Sequence, residues 1–411
     1  MNATSQIAQA EVELPEGLSS DHIVDFDFHN PNLDGETVYT VIDRLHQGPD
    51  IQWTPRNGGH WIVTRADDIK WVEENHEIFS HEQFLLPRGA VNLFSPPITV
   101  DPPRHARYRA VLNPYLTPKK VMALGDKARV LAIQLIEKIK PRGRCEFVSE
   151  FGHVFPVVMF LGLVDLPEER REEFIEWGSG FGQTADKAKS DMCLGKIHAY
   201  LAEVLEERYK NPGEDMLSGI AKWRDNPRFE SEEEVLGMAL QMFTGGLDTV
   251  ANMIGFATMH LATHPEHRRR LREDPEIIPR AAEEYLRRFG LTNTAREIRQ
   301  PVERKGVKMK PGDMILVPTA LSSLDERKYR DPFTIDYDRE ELFENRQPNH
   351  NTFGNGPHRC IGAPLARREI IAFLEEWIKR IPDFALDPQH TPKMHMSFVM
   401  GLDELHLVWE V

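Results

Sequence analysis

The sequence predicts a mainly α-helical fold with small β-sheets, and three observations carry that prediction. Apolar residues recur at helical spacing over most of the chain, while the segments that alternate like strands are short. The 411 residues suffice for a large core, and neither repeats nor a Ser/Gly-rich linker divides them. We therefore expect one large helical domain over residues 1–411, with residues 1–20 as a flexible amino terminus.

The order of elements follows from local signals along the chain. Strands at residues 51–54 and 61–64 are expected to form a hairpin, because Gly58 and Gly59 between them accept positive φ. Helices are predicted at residues 118–140 and, before Gly290, at residues 279–289. The other predictions are short strands within residues 302–318, an irregular loop over residues 324–359, an amphipathic helix after Cys360, and a closing hairpin within residues 398–409.

The most apolar segment, residues 235–263, carries one formal charge, at Asp248, and is long enough to span a bilayer. We interpret it as a buried helix of roughly 40 Å, because its hydroxyl and amide side chains would be costly in lipid. The mean hydropathy of the chain, −0.46, agrees with that interpretation. Ser231 and Glu234 form a capping-box pattern that predicts where the helix begins.

The charge balance and the cysteines exclude several classes of protein. With 50 Lys and Arg against 65 Asp and Glu, the net charge is −15, which argues against a binder of nucleic acid or anionic membranes. The three cysteines form no C-x-x-C pair, so a disulfide framework, a zinc ribbon and a four-cysteine iron–sulfur site are unsupported. Free thiols and an amino terminus without signal-peptide order predict a cytoplasmic protein.

Cys360 is the sharpest chemical feature, because it ends a glycine-rich loop and precedes a predicted helix. Unpaired N–H groups at a helix amino terminus favour a thiolate, so we expect a lowered pKa at this thiol. A lone cysteine is more often buried and inert. Here, however, Phe353, Gly356, Cys360 and Gly362 resemble the haem-binding segment Phe-x-x-Gly-x-x-x-Cys-x-Gly of the cytochrome P-450 family. The resemblance implies that Cys360 is the axial thiolate of haem b, iron protoporphyrin IX.

A second motif tests the resemblance at a distant part of the chain. Glu284 and Arg287 match the family's Glu-x-x-Arg helix, and Arg339 falls where the family has a third partner. On a helical wheel the pair lies opposite the apolar stripe, which by itself predicts a solvated surface bridge. The resemblance instead implies a buried ion-pair cluster that holds the long loop.

Within the apolar helix, Gly245-Gly246-Leu247-Asp248-Thr249 resembles the family's oxygen-binding segment. Adjacent glycines weaken a helix, and a threonine can bond a carbonyl one turn back, so we expect a local distortion there. A packing notch beside a tolerated polar pair is the plainer alternative. The resemblance implies that Asp248 and Thr249 deliver protons during the activation of dioxygen.

The resemblance also assigns contacts to the haem. The propionates are expected to bind basic side chains, namely His105, Arg109, Arg296 and His358. Phe353, Gly245 and Gly362 are expected to lie against the haem, since glycines let the backbone approach a flat group.

The substrate pocket is expected to be mostly apolar with a few polar groups. Its predicted lining is Leu85, Phe94, Gln241, Thr244, Leu291, Thr292, Phe398 and Val399. The motifs are most similar to those of the bacterial camphor hydroxylase group. That group bonds the camphor ketone with a tyrosine, whereas no tyrosine lies between Trp71 and Arg107. We therefore expect a terpenoid or norisoprenoid with one oxygen rather than camphor itself.

These features imply a haem-thiolate monooxygenase that inserts one atom of O2 into a C–H bond of a small apolar substrate. The chain has no flavin or nicotinamide fingerprint, so the resemblance implies electrons from a 2Fe-2S ferredoxin with its NAD(P)H-dependent reductase. We expect the ferredoxin to dock near Arg107, Arg109 and Arg359. The protein is predicted to be a monomer that binds neither nucleic acid nor membrane.

Two alternatives remain beside this interpretation. A non-catalytic haem protein that senses gas or transfers electrons would also suit a thiolate ligand. A peroxide-using relative fits less well, because that branch has an Arg-Pro arrangement where this chain has Asp248 and Thr249.

Overall fold

The structure, a computed structural model, describes residues 12–29, 33, 35–89, 93–182 and 187–411. Most of the predicted flexible amino terminus, residues 1–11, lies outside the described residues. Helices dominate the rest, as the sequence predicts. The described α-helices are α1 (Val38–Asp43), α2 (Ala66–Glu74), α3 (Arg104–Leu112), α4 (Pro118–Ile139), α5 (Val154–Val164), α6 (Arg171–Gly182), α7 (Lys187–Lys210), α8 (Met216–Ala221), α9 (Glu232–Leu247), α10 (Thr249–Thr263), α11 (Pro265–Glu273), α12 (Ile278–Arg288), α13 (Thr319–Ser323) and α14 (Ala363–Arg380).

The strands of the described ranges form small separate sheets. They are β1 (Ile51–Thr54), β2 (His60–Val63), β3 (Phe79–Ser80), β4 (Arg144–Glu146), β5 (Asn293–Ile298), β6 (Val302–Arg304), β7 (Val307–Met309), β8 (Met314–Pro318), β9 (Phe343–Glu344), β10 (Gln347–Pro348), β11 (Phe384–Leu386), β12 (Lys393–His395), β13 (Gly401–Glu404) and β14 (His406–Trp409). The largest sheet has the order β1-β2-β8-β5-β3, with β2 and β8 parallel and the other pairs antiparallel.

The predicted first hairpin is confirmed, and the predicted closing hairpin is wrong. β1 pairs antiparallel with β2, and both Gly58 and Gly59 have positive φ in the turn. β13 pairs with β12 instead of β14, whereas β14 lies between β11 and β4. Only Leu405 separates β13 from β14, and its backbone N–H and C=O bond to Glu146 and Phe147. One residue cannot reverse the chain, so it continues into a second sheet.

The apolar segment is broken into two helices. α9 ends at Leu247 and α10 begins at Thr249, because Asp248, with φ −116° and ψ −37°, leaves the helical ladder. The expected distortion beside the glycines is therefore confirmed. Within the described ranges, no helix combines the length and the apolarity that crossing a bilayer requires.

The start of α9 is as predicted, but its cap is not. Ser231 is the N-cap residue and makes no side-chain capping bond. The Glu234 carboxylate accepts instead from the Tyr108 hydroxyl, the Trp223 indole and the Glu230 N–H. Its charge is therefore used to join α9 to α3 rather than to complete a capping box.

Two hydrophobic clusters meet at the helix break. α10 contributes Ile254 and Phe256 to the larger cluster, whereas α9 contributes Met238 and Phe243 to the second. Burying one such side chain contributes about 1.5–3 kcal/mol. Asp248 is therefore the point where the chain passes from one packed core into the other.

The Glu284 cluster is buried, which confirms the resemblance and contradicts the helical wheel. Glu284 and Arg287 are both fully buried, with Arg287 Nη2 2.6 Å from Glu284 Oε1. Arg339 Nε lies 3.1 Å from the same oxygen, and the Asp336 N–H donates to it at 3.0 Å. The wheel failed because the long loop, not solvent, covers this polar face of α12.

The arginines of this cluster hold the long loop by its backbone. The carbonyls of five consecutive residues, 330 to 334, accept from Arg287, Arg288 and Arg339. Arg287 Nη1 also donates to the Ser323 carbonyl at 3.0 Å. A segment without regular structure thus has its polar backbone groups satisfied by side chains.

Three histidines meet where α10 ends. His260 Nε2 lies 2.7 Å from His267 Nδ1, and the ring of His264 stacks on that of His260 with centroids 3.9 Å apart. Burial, followed by the positive charges that His264, His267 and Arg288 can carry, lowers the pKa of His260 to about 2.

We expect this histidine to make the folded protein less stable in mild acid. Below pH 6.5 the unfolded chain protonates His260, whereas the folded chain does not until about pH 2, so stability falls as pH drops through that window. Between pH 7 and 5.5, wild type should lose roughly 1 kcal/mol of unfolding free energy relative to His260→Gln. Urea titrations of both proteins measure this difference. His390→Gln, at an exposed histidine, should follow wild type, and equal losses in wild type and His260→Gln would contradict the prediction.

Candidate functional site

The loop before α14 sets the direction of Cys360. The Cys360 N–H donates to the Phe353 carbonyl at 2.8 Å, which closes the loop on itself. Gly354 and Gly356 have φ of 68° and 64°, and a Cβ on Gly356 would lie 2.6 Å from the Glu73 carbonyl oxygen. The positive φ of the turn and the close approach of α2 therefore require these two glycines.

The Cys360 thiol is exposed, yet the protein around it desolvates it. Burial is the largest influence and raises its pKa, while the Gly362 and Ala363 N–H groups and the charge of Arg109 lower it by less. The prediction of a lowered pKa is therefore wrong for the polypeptide by itself. An accessible sulfur in a desolvating cleft suits a metal, because a coordinated cation deprotonates a thiol outright.

The two glycines of α9 have different surroundings. A Cβ on Gly246 would lie 2.4 Å from the Phe160 ring, so this glycine is a packing notch. Gly245 is exposed, and a Cβ there would meet only the Gln241 amide nitrogen, at 3.6 Å. Thr249 Oγ1 donates to the Gly245 carbonyl at 3.5 Å, the one-turn contact that the sequence predicts. The interpretation as a packing notch is therefore right for Gly246 and wrong for Gly245.

The charges of Asp248 and Asp403 both act on His395. Burial acts to lower the pKa of His395, but the Asp403 hydrogen bond and the charges of Asp403 and Asp248 outweigh burial and raise it. His395 Nδ1 lies 2.8 Å from Asp403 Oδ1, and Asp403 is about half exposed. Gly401 lets β13 pass close to α10, because a Cβ on Gly401 would lie 2.4 Å from Asn252 Oδ1. The His395 imidazole, which is bonded to the half-exposed Asp403 carboxylate, therefore lies within electrostatic reach of Asp248.

Two of the predicted propionate ligands meet in a cluster of imidazoles. The ring of His358 stacks on that of His81, with centroids 4.3 Å apart, and meets the edge of His105 at 4.6 Å. Burial lowers the pKa of all three histidines, and that of His105 falls to about 4. Asp101 is the acid of the cluster, with Oδ1 3.0 Å from His358 Nε2.

Arg296 carries the strongest signal for an anionic ligand. It is 5% exposed, and burial lowers its pKa to about 10. Its Nη1 donates to Thr294 Oγ1 and to the Ala295 carbonyl, and among the described residues no carboxylate forms an ion pair with it. A buried guanidinium is costly unless a carboxylate pairs with it. The buried Nδ1 of His81 also has no partner among the described residues.

These residues fit a haem. The group requires a soft axial ligand, supplied by the accessible Cys360 thiol, and cations for two carboxylates. Arg296 and the imidazole cluster supply buried donors, and Arg109 connects the two regions, since its Nη1 donates to the Arg359 carbonyl next to Cys360 at 2.9 Å.

Four of the predicted pocket residues, Leu291, Thr292, Phe398 and Val399, lie close together near the end of the chain. The Leu291 carbonyl accepts from Met400 N–H, and Thr292 forms a backbone bridge with Val399. The ring of Phe398 meets the edge of Phe84 at 5.5 Å. Leu85 follows Phe84, while the Phe94 carbonyl packs against α9, where a Cβ on Gly237 would touch it.

Two of the three predicted polar pocket groups are engaged within the protein. Thr244 Oγ1 donates to the Leu240 carbonyl at 3.0 Å. Thr292 Oγ1 lies 3.3 Å from Thr319 Oγ1. The Gln241 amide oxygen accepts from Ser95 Oγ at 3.1 Å, and within the described ranges its nitrogen has no hydrogen-bond partner.

The comparisons agree with this geometry: the cytochrome P-450 family model matches residues 181–404, and the chain belongs to that family of haem-thiolate monooxygenases. It is 33% identical to the Probable cytochrome P-450 127A1 of Sinorhizobium fredii, over 92% of this chain and 91% of that protein. The Mycinamicin IV hydroxylase/epoxidase of Micromonospora griseorubida is 29% identical over 85% of this chain and 89% of its own length.

Solved structures give the same family. CYP101J2 is 34% identical with a TM-score of 0.87, and CYP101C1 is 33% identical with a TM-score of 0.88. Each alignment covers 97% of this chain and 100% of the other. The fold is therefore that of a cytochrome P-450, the chain is a haem b enzyme, and the haem lies in the family between the long central helix and the cysteine loop.

Sequence reasoning missed His81, Asp101 and Ser95. Asp101 opens the run Asp-Pro-Pro-Arg-His that supplied His105, so an acid adjacent to predicted propionate ligands was an available signal. His81 and Ser95 follow no motif, and only the folded chain brings them to the site.

Proposed function

We propose that this cytochrome P-450 is a ferredoxin-dependent hydroxylase of small, mostly apolar molecules with one oxygen, in the terpenoid or norisoprenoid class. The break at Asp248 carries the proposal, because it sets Asp248 and Thr249 next to exposed Gly245 in an otherwise apolar helix. A haem protein that only senses gas or transfers electrons needs no acid and alcohol there.

In this proposal the Cys360 sulfur would hold the haem iron, and Phe353, Gly245 and Gly362 would contact the haem. Its propionates bind the basic groups described above, namely His105, Arg109, Arg296 and His358. Bound there, haem supplies the activation of dioxygen and the insertion of one oxygen atom into a C–H bond.

Thr249 and Asp248 move the protons that this chemistry requires. The bond from Thr249 Oγ1 to the Gly245 carbonyl is long, so the hydroxyl can give it up for a stronger acceptor at little cost. Asp248, half buried, can then return a proton to Oγ1. His395 is bonded to the half-exposed Asp403 and lies within electrostatic reach of Asp248, so it can supply Asp248 in turn.

Electrons come from outside this chain, because its sequence contains no flavin or nicotinamide fingerprint. We infer docking of a 2Fe-2S ferredoxin, reduced by an NAD(P)H-dependent reductase, at exposed Arg359 beside Cys360. Arg107, predicted for the same face, does not fit it, since Glu230 and Glu234 neutralise its guanidinium at 3.0 and 2.7 Å. The cytoplasmic location rests on the free thiols of all three cysteines. The monomeric state stays a prediction.

Thr249→Ala tests the proposal. Reconstituted with a ferredoxin, its reductase and NADH, the variant should still consume NADH, but most of the electrons should appear in hydrogen peroxide instead of hydroxylated product. The reason is that no hydroxyl remains to control proton delivery. Product and peroxide are quantified per NADH consumed.

Thr263→Ala is the matched control, because Thr263 also bonds a carbonyl of α10 but lies at its far end. This variant should couple as well as wild type. Unchanged coupling in Thr249→Ala would remove the proton role, and a wild type without product on any terpenoid substrate would favour the non-catalytic alternative.

A further inference from the structure

Among the residues that the structure describes, Gln241 is the one predicted polar pocket residue whose side chain has an end without a hydrogen-bond partner. Ser95 holds the other end: its Oγ lies 3.1 Å from Gln241 Oε1 and 3.2 Å from the Gly237 carbonyl. Ser95 is itself fixed, because it is 1% exposed and its N–H donates to Thr99 Oγ1 at 2.8 Å. The amide is therefore held in one orientation by a buried neighbour.

The structure places the oxygen end of the Gln241 amide against Ser95, and this orientation decides which end is free. The Gly237 carbonyl lies within α9 and already accepts the N–H four residues further on. Gln241 Oε1 can only accept and has no other partner among the described residues, so it takes the Ser95 proton. With Oε1 engaged, the Gln241 nitrogen is the free end, and it is the atom within 3.6 Å of a Cβ built on Gly245.

The surroundings leave this nitrogen as the accessible donor on this stretch of α9. Gly245 is exposed, so the space beside the nitrogen is open. The Thr244 hydroxyl, about one turn away on α9, donates its proton to the Leu240 carbonyl. The close contact of the Phe94 carbonyl with Gly237 fixes the segment that carries Ser95 against the helix.

We propose that the Gln241 side-chain nitrogen, oriented by Ser95, is the specificity-determining donor of this pocket and selects substrates that present an acceptor oxygen, as a ketone or ether does, over pure hydrocarbons. The inference rests on the proposed function, since it assumes that the space beside Gly245 holds the substrate. It narrows the substrate class to apolar molecules with a hydrogen-bond acceptor.

The experiment compares matched pairs of ligands on the haem-loaded protein. The probes are two ketones of ten and thirteen carbons, fenchone and α-ionone, each beside the hydrocarbon in which CH2 replaces the carbonyl. Dissociation constants come from calorimetry and from the spin-state change in the absorption spectrum. In wild type the ketones should bind more tightly than the hydrocarbons, and in Gln241→Leu that ratio should fall about tenfold, the value of one hydrogen bond.

Two further variants keep the test sharp. Ser95→Ala should lower the same ratio by a smaller factor, because the amide stays but loses its anchor. Thr263→Val should leave it unchanged, since Thr263 bonds carbonyls at the far end of α10, away from the predicted pocket. Hydrocarbon affinity in Gln241→Leu, equal to or above that of wild type, shows that the pocket is intact.

The failures of the two proposals are distinguishable. If the wild-type protein shows no thiolate-type spectrum after reduction under carbon monoxide, the proposed function fails first. If that spectrum is present but no ketone gains over its hydrocarbon, or the gain survives in Gln241→Leu, the assignment of Gln241 is overturned.

Discussion

Cys360→Ser should lose the red-shifted Soret band that a thiolate-ligated ferrous haem gives under carbon monoxide, and should lose hydroxylation with it. The serine hydroxyl is similar in size but is a far weaker donor to iron. Burial already opposes ionisation of the native thiol, so the metal contact must supply the stabilisation of the charge. Absorption spectra of the reduced protein, together with iron content per chain, measure the effect.

Cys145 provides the matched control. It is also a free cysteine, but it is buried, and burial raises its pKa further from ionisation. Cys145→Ser should keep the full spectrum. If Cys360→Ser kept the wild-type band, or Cys145→Ser lost it, the prediction that Cys360 is the haem ligand would be contradicted.

Glu284→Gln should lower the free energy of unfolding by about 3 to 5 kcal/mol, the cost of leaving buried charges without their partner. Both Arg287 and Arg339 bond to this carboxylate, and neither reaches solvent. The glutamine keeps an acceptor for the Asp336 N–H, but its amide nitrogen replaces the oxygen that accepts from Arg287 Nε. Chemical denaturation of the haem-loaded protein measures the change.

A Glu→Gln substitution at an exposed ion pair on a helix serves as the control, because it removes the same charge without leaving a buried partner unpaired. Glu206 pairs with Lys210 one turn further along α7, and both side chains are more than half exposed. Glu206→Gln should leave the midpoint of unfolding unchanged. A small effect at Glu284, similar to that at Glu206, would mean that the cluster does not support the loop.

Local sequence signals predicted the elements but not what each element contacts. Gly58 and Gly59 sufficed for the first hairpin, because a tight turn depends on its own residues. The alternation at residues 398–409 predicted strands, but the bonds of Leu405 to Glu146 and Phe147 select their partners. Pairing between distant segments leaves no mark on either segment alone.

The same limit applies to the site. Cys360, Thr249 and Glu284 were found because motifs fix their spacing. Periodicity placed Glu284 on a solvated face, and only the covering loop made that face interior. For Cys360, its position at a helix terminus predicted a lowered pKa. The pKa is instead raised by burial, which depends on the whole fold and not on the local sequence.

Three arginines bond the backbone carbonyls of residues 330 to 334, and this affects which substitutions the segment can accept during evolution. Carbonyls are the same in every residue, so apart from Asp331, whose φ is 45°, the path of this segment depends little on which side chains it carries. The Phe333 side chain, for instance, is 39% exposed with the Arg288 guanidinium over its ring, whereas its carbonyl would be held whatever the side chain. New surface properties can therefore arise along this stretch by mutation while its course, and the anchoring beneath it, stay the same.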